Sequence, residues 1–310
     1  MSDTQERVQT TPARGDRPAA GVRPRARSLS REQLEIRIFG FLKWVMIAFF
    51  LLITVVPFYY MLVLSFRAIE DVLNDPASLW VPFSEITLTT YRAVFDIGFP
   101  TFMRNSFLIA MGTVLATLAV SIPGAYAISR LRFPGRRHVH FLFLAVYLFP
   151  AIVLAIPLFV LFTRIGLRGS LIGLVIVYVS QTVPVSIHML RNYFETVPAS
   201  LEEAAATEGA NRFQIMRKIS LPLAKPAIMS TSLFVFMIAW NEFLFALLFL
   251  LESRNSWTVS LGLAQLSNGI ETPKTILMAG AVVLTIPIVI LFFATERLLV
   301  EGLTSGAEKG

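Results

Sequence analysis

One carboxylate stands apart in this sequence. Glu242 is the sole charge in the 26 residues from Pro226 to Leu251, and it directly follows Trp240 and Asn241. A charged group in so apolar a run must be paired, hydrogen-bonded or open to a water-filled cavity. Glu242 therefore either lines a path for a polar solute or makes a structural bond to a neighbouring helix or backbone amide. A second polar set, Tyr178, Ser180, Gln181, Thr182 and Ser186, interrupts another apolar run, and Ser230, Thr231 and Ser232 precede Trp240. Tyr178, Gln181, Asn241 and Glu242 carry the phenol, amide and carboxylate groups that would hydrogen-bond a solute in transit. Trp and Tyr suit stacking on a sugar ring, but near a membrane boundary they also serve as interface anchors.

Other chemistries are poorly supplied. There is no Cys, so no disulfide or thiolate metal site can form. The three histidines, His138, His140 and His188, have no metal-ligand spacing. A phosphate-cradling P-loop needs Gly immediately before Lys. The lysines follow Leu42, Arg217, Ala224, Pro273 and Glu308, so the chain has no nucleotide-hydrolysing loop of that kind. No acid–base constellation for an enzyme is visible.

The elements that must hold these residues are membrane spans. Of 310 residues, 55% are hydrophobic and 15% charged, with mean hydropathy +0.68; soluble domains carry about 25% charge. Apolar runs at 44–66, 105–129, 139–163, 169–190, 226–251 and 275–295 are bracketed by charges. Each has the roughly 20 residues that a helix needs to cross about 30 Å of hydrocarbon, and helices satisfy their backbone bonds internally. The expected fold is thus an all-α integral membrane protein of six helices. Pro123, Pro150, Pro157, Pro184 and Pro287 can kink them. Residues 1–37, rich in Arg, Pro, Gly and Ala, are expected to form a disordered basic tail, with 38–310 as the membrane domain. The first apolar run is too long and too late for a cleaved signal.

Charge sets the orientation. Of the 27 Lys and Arg, 20 fall in the N-terminal segment, the loops at 130–138 and 191–225, and the C-terminal tail; 7 fall in the alternate segments. This bias puts both termini in the cytoplasm. It also accounts for the net charge of +7 without nucleic acid.

One cytoplasmic loop is too structured to be a mere connection. Ser200 and Glu203 have capping-box spacing, Ala204, Ala205 and Ala206 favour helix, and Gly209 can end it in a left-handed turn. Asn211 and Gln214 can cap a second helix, in which Phe213, Met216 and Ile219 share a face; Pro222 and Pro226 then stop it. An exposed apolar face of this kind lies on lipid or is covered by a partner. Membrane-seeking faces prefer bulky side chains, whereas alanines admit another protein's backbone.

The run Glu203-Ala204-Ala205, with Gly209 six residues on, Ile219 ten further and then Leu221-Pro222, resembles the EAA loop of permease subunits of bacterial ABC importers. One departure is Glu208, where the family commonly has Asp. Asn105-Ser106, Trp240-Asn241-Glu242 and the ending GLTSGAEKG (302–310) resemble its carbohydrate branch, in particular the maltose-type second permease.

The resemblance implies a type I ABC importer permease fold in the bacterial inner membrane. Loop 198–222 would supply a coupling helix that docks on an ATPase through Glu203, Ala204, Ala205, Gly209, Ala210 and Phe213. For Glu203, a role as its own helix cap stands beside docking. A tail contact through Gly302, Thr304, Lys309 and Gly310 stands beside a frayed terminus. The implied partners are a homologous permease, two ATPase subunits, an extracytoplasmic solute-binding protein and membrane lipid. ATP and Mg would sit on the ATPase, leaving no cofactor in this chain. The expected cargo is a sugar or oligosaccharide, with another solute as the alternative. An ion-driven secondary transporter would call for more intramembrane charge and repeated halves.

Overall fold

The computed structural model describes residues 31–75, 78–268 and 273–307. Among these, no strand occurs and the α-helices are α1 (Arg31–Ser65), α2 (Ile69–Asn74), α3 (Thr89–Asp96), α4 (Phe99–Arg130), α5 (Arg136–Tyr147), α6 (Ala151–Arg164), α7 (Leu171–Thr196), α8 (Ala199–Thr207), α9 (Arg212–Ile215), α10 (Leu221–Leu223), α11 (Lys225–Asn241), α12 (Leu244–Leu250), α13 (Val259–Asn268) and α14 (Lys274–Ala307). Residues up to Val55 form one unit and Val56–Gly310 another. In the first unit α1 carries large apolar side chains on every side, Phe39, Trp44, Phe49 and Leu52 among them, all exposed. A helix apolar all round belongs in lipid or in a core. It starts at Arg31, inside the stretch expected to be tail; residues 1–30 of that tail lie outside the described residues.

Residues 35–65, 99–130, 171–196 and 274–296 each form a helix long and apolar enough to cross a membrane; two bent pairs, α5 with α6 and residues 212–223 with α11 (76°), bring the count to six if each is one span. Two of the expected apolar runs are not straight helices. The run 139–163 breaks between α5 and α6, whose axes meet at 91°. Pro150 supplies the extended residue before α6, where a helix would otherwise have continued. The run 226–251 breaks at Glu242 and Phe243, between α11 and α12. Pro123, Pro157, Pro184 and Pro287 sit within helices that run on past them.

The second unit is organised on the crossing of α4 and α7. Small residues permit it: a Cβ on Gly112 would touch Val175 at 3.5 Å, and one on Gly124 would touch Ile187 at 3.4 Å. Between them the hydroxyls of Thr117 and Thr182 bond at 2.8 Å. Small residues and buried hydroxyls are the usual means of joining helices in lipid, where apolar burial drives little. α11 lies across both helices, and its Trp240, 1% exposed, stacks on Phe236 and donates to the Leu284 carbonyl of α14. That places Trp240 in the core. The Asn105-Ser106 pair of α4 ties down the approach to α13. Asn105 donates to the carbonyls of Asn255 and Trp257 at 2.8 and 3.0 Å, and Ser106 accepts from Val259 N at 2.8 Å. Gly262 lets α13 come this close, because a Cβ there would stand 2.5 Å from the Phe102 ring.

Candidate functional site

Segment 198–223 is a helix, a turn and a second helix. Pro198, at φ −59° and ψ 126°, leads into α8 with no side-chain cap. The Ser200–Glu203 capping box is therefore not formed. Helix begins at Ala199, so Ser200 is already within the first turn and its hydroxyl is past the position from which it could cap. Glu203 is exposed and does not cap its own helix. At the other end, Gly209 N donates to Ala206 O and Ala210 N to Ala205 O, both at 3.0 Å, with Gly209 at φ +88°. This is a complete Schellman stop, and its left-handed residue favours glycine. Asn211 and Gln214 make the expected reciprocal box at 2.9 and 2.8 Å.

The second helix is not as periodic as expected. Residues Met216–Ser220 form a π-turn, which adds a residue to the turn and rotates the face. Ile215 is buried and Met216 and Ile219 are half-buried, but Phe213 is 63% exposed. Phe213, which precedes the π-turn, is thus outside the buried face; Leu201 and Ala204 are also exposed, while Ala205 and Ala210 are half-buried.

Glu202 fixes this unit to the helices. Its Oε1 accepts from Arg130 Nε at 3.0 Å and from Ser220 Oγ at 2.8 Å, and its Oε2 accepts from Tyr126 at 3.3 Å. Arg130 also donates to the Val197 carbonyl at 2.6 Å. One carboxylate thus joins the end of α4, the start of α8 and the π-turn. Tyr126 meets Phe194 of α7 edge-on, and Met216 and Ala224 pack into the same apolar cluster with Leu190. The sequence offered Glu202 only as a helix-forming neighbour of Glu203. Its partners lie 72 and 76 residues upstream and 18 downstream, beyond any local pattern.

The interior polar residues divide. Glu242 accepts from Tyr178 at 2.6 Å and from the amides of Phe245 and Ala246 at 2.9 and 3.3 Å. Both structural bonds named as the alternative are thus present, one to a neighbouring helix and one to backbone. The carboxylate satisfies amides left open at the start of α12, which is why the span can break there. Tyr178 is fully buried. Gln181 lines a hollow of about 320 Å³ with Ser180, Pro184, Tyr147 and Phe245, and its Nε2 is buried without a partner. Asn241 is exposed and donates to Met237 O of its own helix. Glu242 thus joins Tyr178 to the start of α12, Gln181 lines the adjoining hollow, and Asn241 is exposed at the last residue of α11. In the tail, α14 continues through Gly302 and Thr304 to Ala307, where no helix was expected. Extending a formed helix requires no new nucleus. Lys309 and Gly310 lie outside the described residues.

Among the described residues, these features define a multi-pass helical membrane protein with a capped helix–turn–helix between two of its long helical segments. Residues 118–305 match the family described as the inner membrane component of binding-protein-dependent transport systems. The chain is 38% identical over 270 residues to the inner membrane ABC transporter permease protein YcjP of Escherichia coli (strain K12), covering 85% of this chain and 94% of that one. It is 39% identical over 266 residues to the trehalose/maltose transport system permease protein MalG of Thermococcus litoralis, covering 84% and 93%. Among solved structures, a chain of a bacterial ABC transporter involved in the import of the acidic polysaccharide alginate superposes with TM-score 0.73 at 27% identity, covering 86% and 98%. The chain belongs to the family of inner membrane components of binding-protein-dependent transport systems. Its fold is that of a type I ABC importer permease, and as such a subunit it is a transporter component rather than an enzyme.

Proposed function

We propose that this chain is one of two transmembrane subunits of an ATP-driven importer for a sugar or oligosaccharide. The observation that carries the reading is segment 198–223: a capped unit, anchored through Glu202, in which Glu203, Ala204 and Phe213 are exposed among the described residues. Such a surface suits docking on a separate ATPase, where ATP and Mg bind. Movement of that ATPase then reaches α4 through Arg130 and α11 through the short α10. The tail around Gly302, Thr304, Lys309 and Gly310 makes a second contact. A homologous permease completes the path, and an extracytoplasmic binding protein delivers the solute. Both termini lie in the cytoplasm, as the placement of 20 of the 27 Lys and Arg supports. Gln181 and Asn241 face the path, and Tyr178 and Glu242 hold its wall. A sugar cargo is supported by the relatives' own descriptions, trehalose/maltose and alginate.

Uptake of labelled trehalose and maltose into proteoliposomes tests the reading, using the chain reconstituted with its second permease, ATPase and binding protein. Import that requires ATP and the binding protein is expected. Import driven by an ion gradient without the ATPase would contradict it.

A further inference from the structure

On the same face as segment 198–223, a hollow of about 440 Å³ is lined by Ile128, Arg136, Arg137 and Arg191. Gly135, at φ +82°, turns the chain out of the 131–134 loop and delivers Arg136 and Arg137 into the first turn of α5. The positive end of a helix adds to their charge there. Arg191 enters from α7. Glu195 offsets part of this charge, at 2.8 Å from Arg191 and 3.7 Å from Arg136. Arg137 is exposed and has no ion-pair partner among the described residues, and Arg191 Nε is buried without an acceptor. Arg132 lines a second hollow that shares Arg136. The site therefore holds more guanidinium than the fold can neutralise.

We propose that this hollow binds the phosphate of an acidic phospholipid in the leaflet on the side of segment 198–223. Guanidinium forks match phosphate oxygens in pairs, and basic hollows between spans on the cytoplasmic side suit anionic headgroups. What favours a lipid over other anions is the rest of α5. Past its two arginines the helix exposes Phe141 and Leu142, at 70% and 62%, and then Val146. A single short helix thus offers charge at one end and bulky apolar surface beyond it, as a headgroup with its acyl chains requires. A free phosphate ion or an acidic protein surface would use the arginines and leave the apolar flank idle. The proposal rests on the membrane placement of α4 and α7, and on the proposed orientation only for which leaflet is meant.

The test is native mass spectrometry of the purified full-length chain released from phosphatidylcholine membranes doped with phosphatidylglycerol. Each arginine near a membrane surface is worth about fivefold in affinity for anionic lipid. The triple variant R136Q/R137Q/R191Q is expected to lose retained phosphatidylglycerol on the order of a hundredfold. Arg137→Gln alone, at an exposed position, is expected to lose about fivefold and keeps the test valid if the triple variant misfolds. Arg104→Gln, near the opposite end of α4, is expected to retain lipid fully. Equal retention by the natural chain and Arg137→Gln would overturn the proposal. So would tight binding of inorganic phosphate with no added hold on phosphatidylglycerol. Full lipid retention by the arginine variants, together with their weaker pull-down of the ATPase in the assembled importer, would overturn it in favour of a protein contact.

Discussion

Removing the Glu202 carboxylate should uncouple segment 198–223 from the helices. The Arg130–Glu202 pair is only 14% and 12% exposed, so it belongs with buried pairs rather than surface ones. Glu202→Ala deletes the bonds from Arg130, Ser220 and Tyr126 and leaves Arg130 holding the Val197 carbonyl alone. Breaking a buried pair from one side costs about 3–5 kcal/mol. Residual water access favours the lower end, about 3 kcal/mol, a shift of roughly a hundredfold between anchored and released segment. In proteoliposomes containing the whole importer, ATP hydrolysis should persist while uptake falls about tenfold or more, raising the ATP used per solute. Arg130→Met removes the stranded charge. The Glu202→Ala/Arg130→Met pair should therefore be less impaired than additivity requires, with a coupling of about 1–3 kcal/mol in thermal unfolding. Natural uptake and unchanged unfolding in Glu202→Ala, or strict additivity in the cycle, would refute the anchoring argument.

Three further outcomes follow from the same geometry. Gly209→Val meets no atom within 4 Å of its Cβ but must adopt φ +88°; a cost of about 1–2 kcal/mol should weaken assembly with the ATPase in a pull-down, whereas Gly209→Asn should assemble nearly normally. Gly262→Ala should lower thermal stability by about 1–3 kcal/mol through overpacking against Phe102, and Phe102→Leu in the same chain should restore part of it. Tyr178→Phe takes one of three donors from Glu242; a loss of about 1.5–3 kcal/mol should slow uptake, and unchanged uptake kinetics would argue that the α11–α12 break plays no part in transport.

Local signals in the sequence were dependable where a structure is closed by near neighbours. The Asn211–Gln214 box and the Gly209 stop each involve residues within five positions, and both form. The Ser200–Glu203 box had equal spacing and fails, because Pro198 starts α8 early. The expected Phe213–Met216–Ile219 face is only partly buried: Phe213 is exposed, and a π-turn at 216–220, which no propensity reports, changes the period beyond Met216. The apolar runs marked the membrane segments, but the breaks at Pro150 and Glu242 depend on what the chain meets after folding. Glu242 illustrates this: its charge was plain in the sequence, while its partner Tyr178 lies 64 residues away. Glu202 was hidden for the same reason. Its neighbour Glu203 carried the motif, yet Glu202 holds the segment in place.

Because the chain has no native Cys, a single cysteine reports one position cleanly. Placed at Ala204 and carrying a photoreactive maleimide crosslinker, it should join the chain to the ATPase subunit in the working importer. A water-soluble maleimide should label it readily only when the ATPase is absent. Equal labelling with and without the ATPase, or crosslinks to lipid alone while the importer turns over, would contradict the claim that segment 198–223 is the coupling surface.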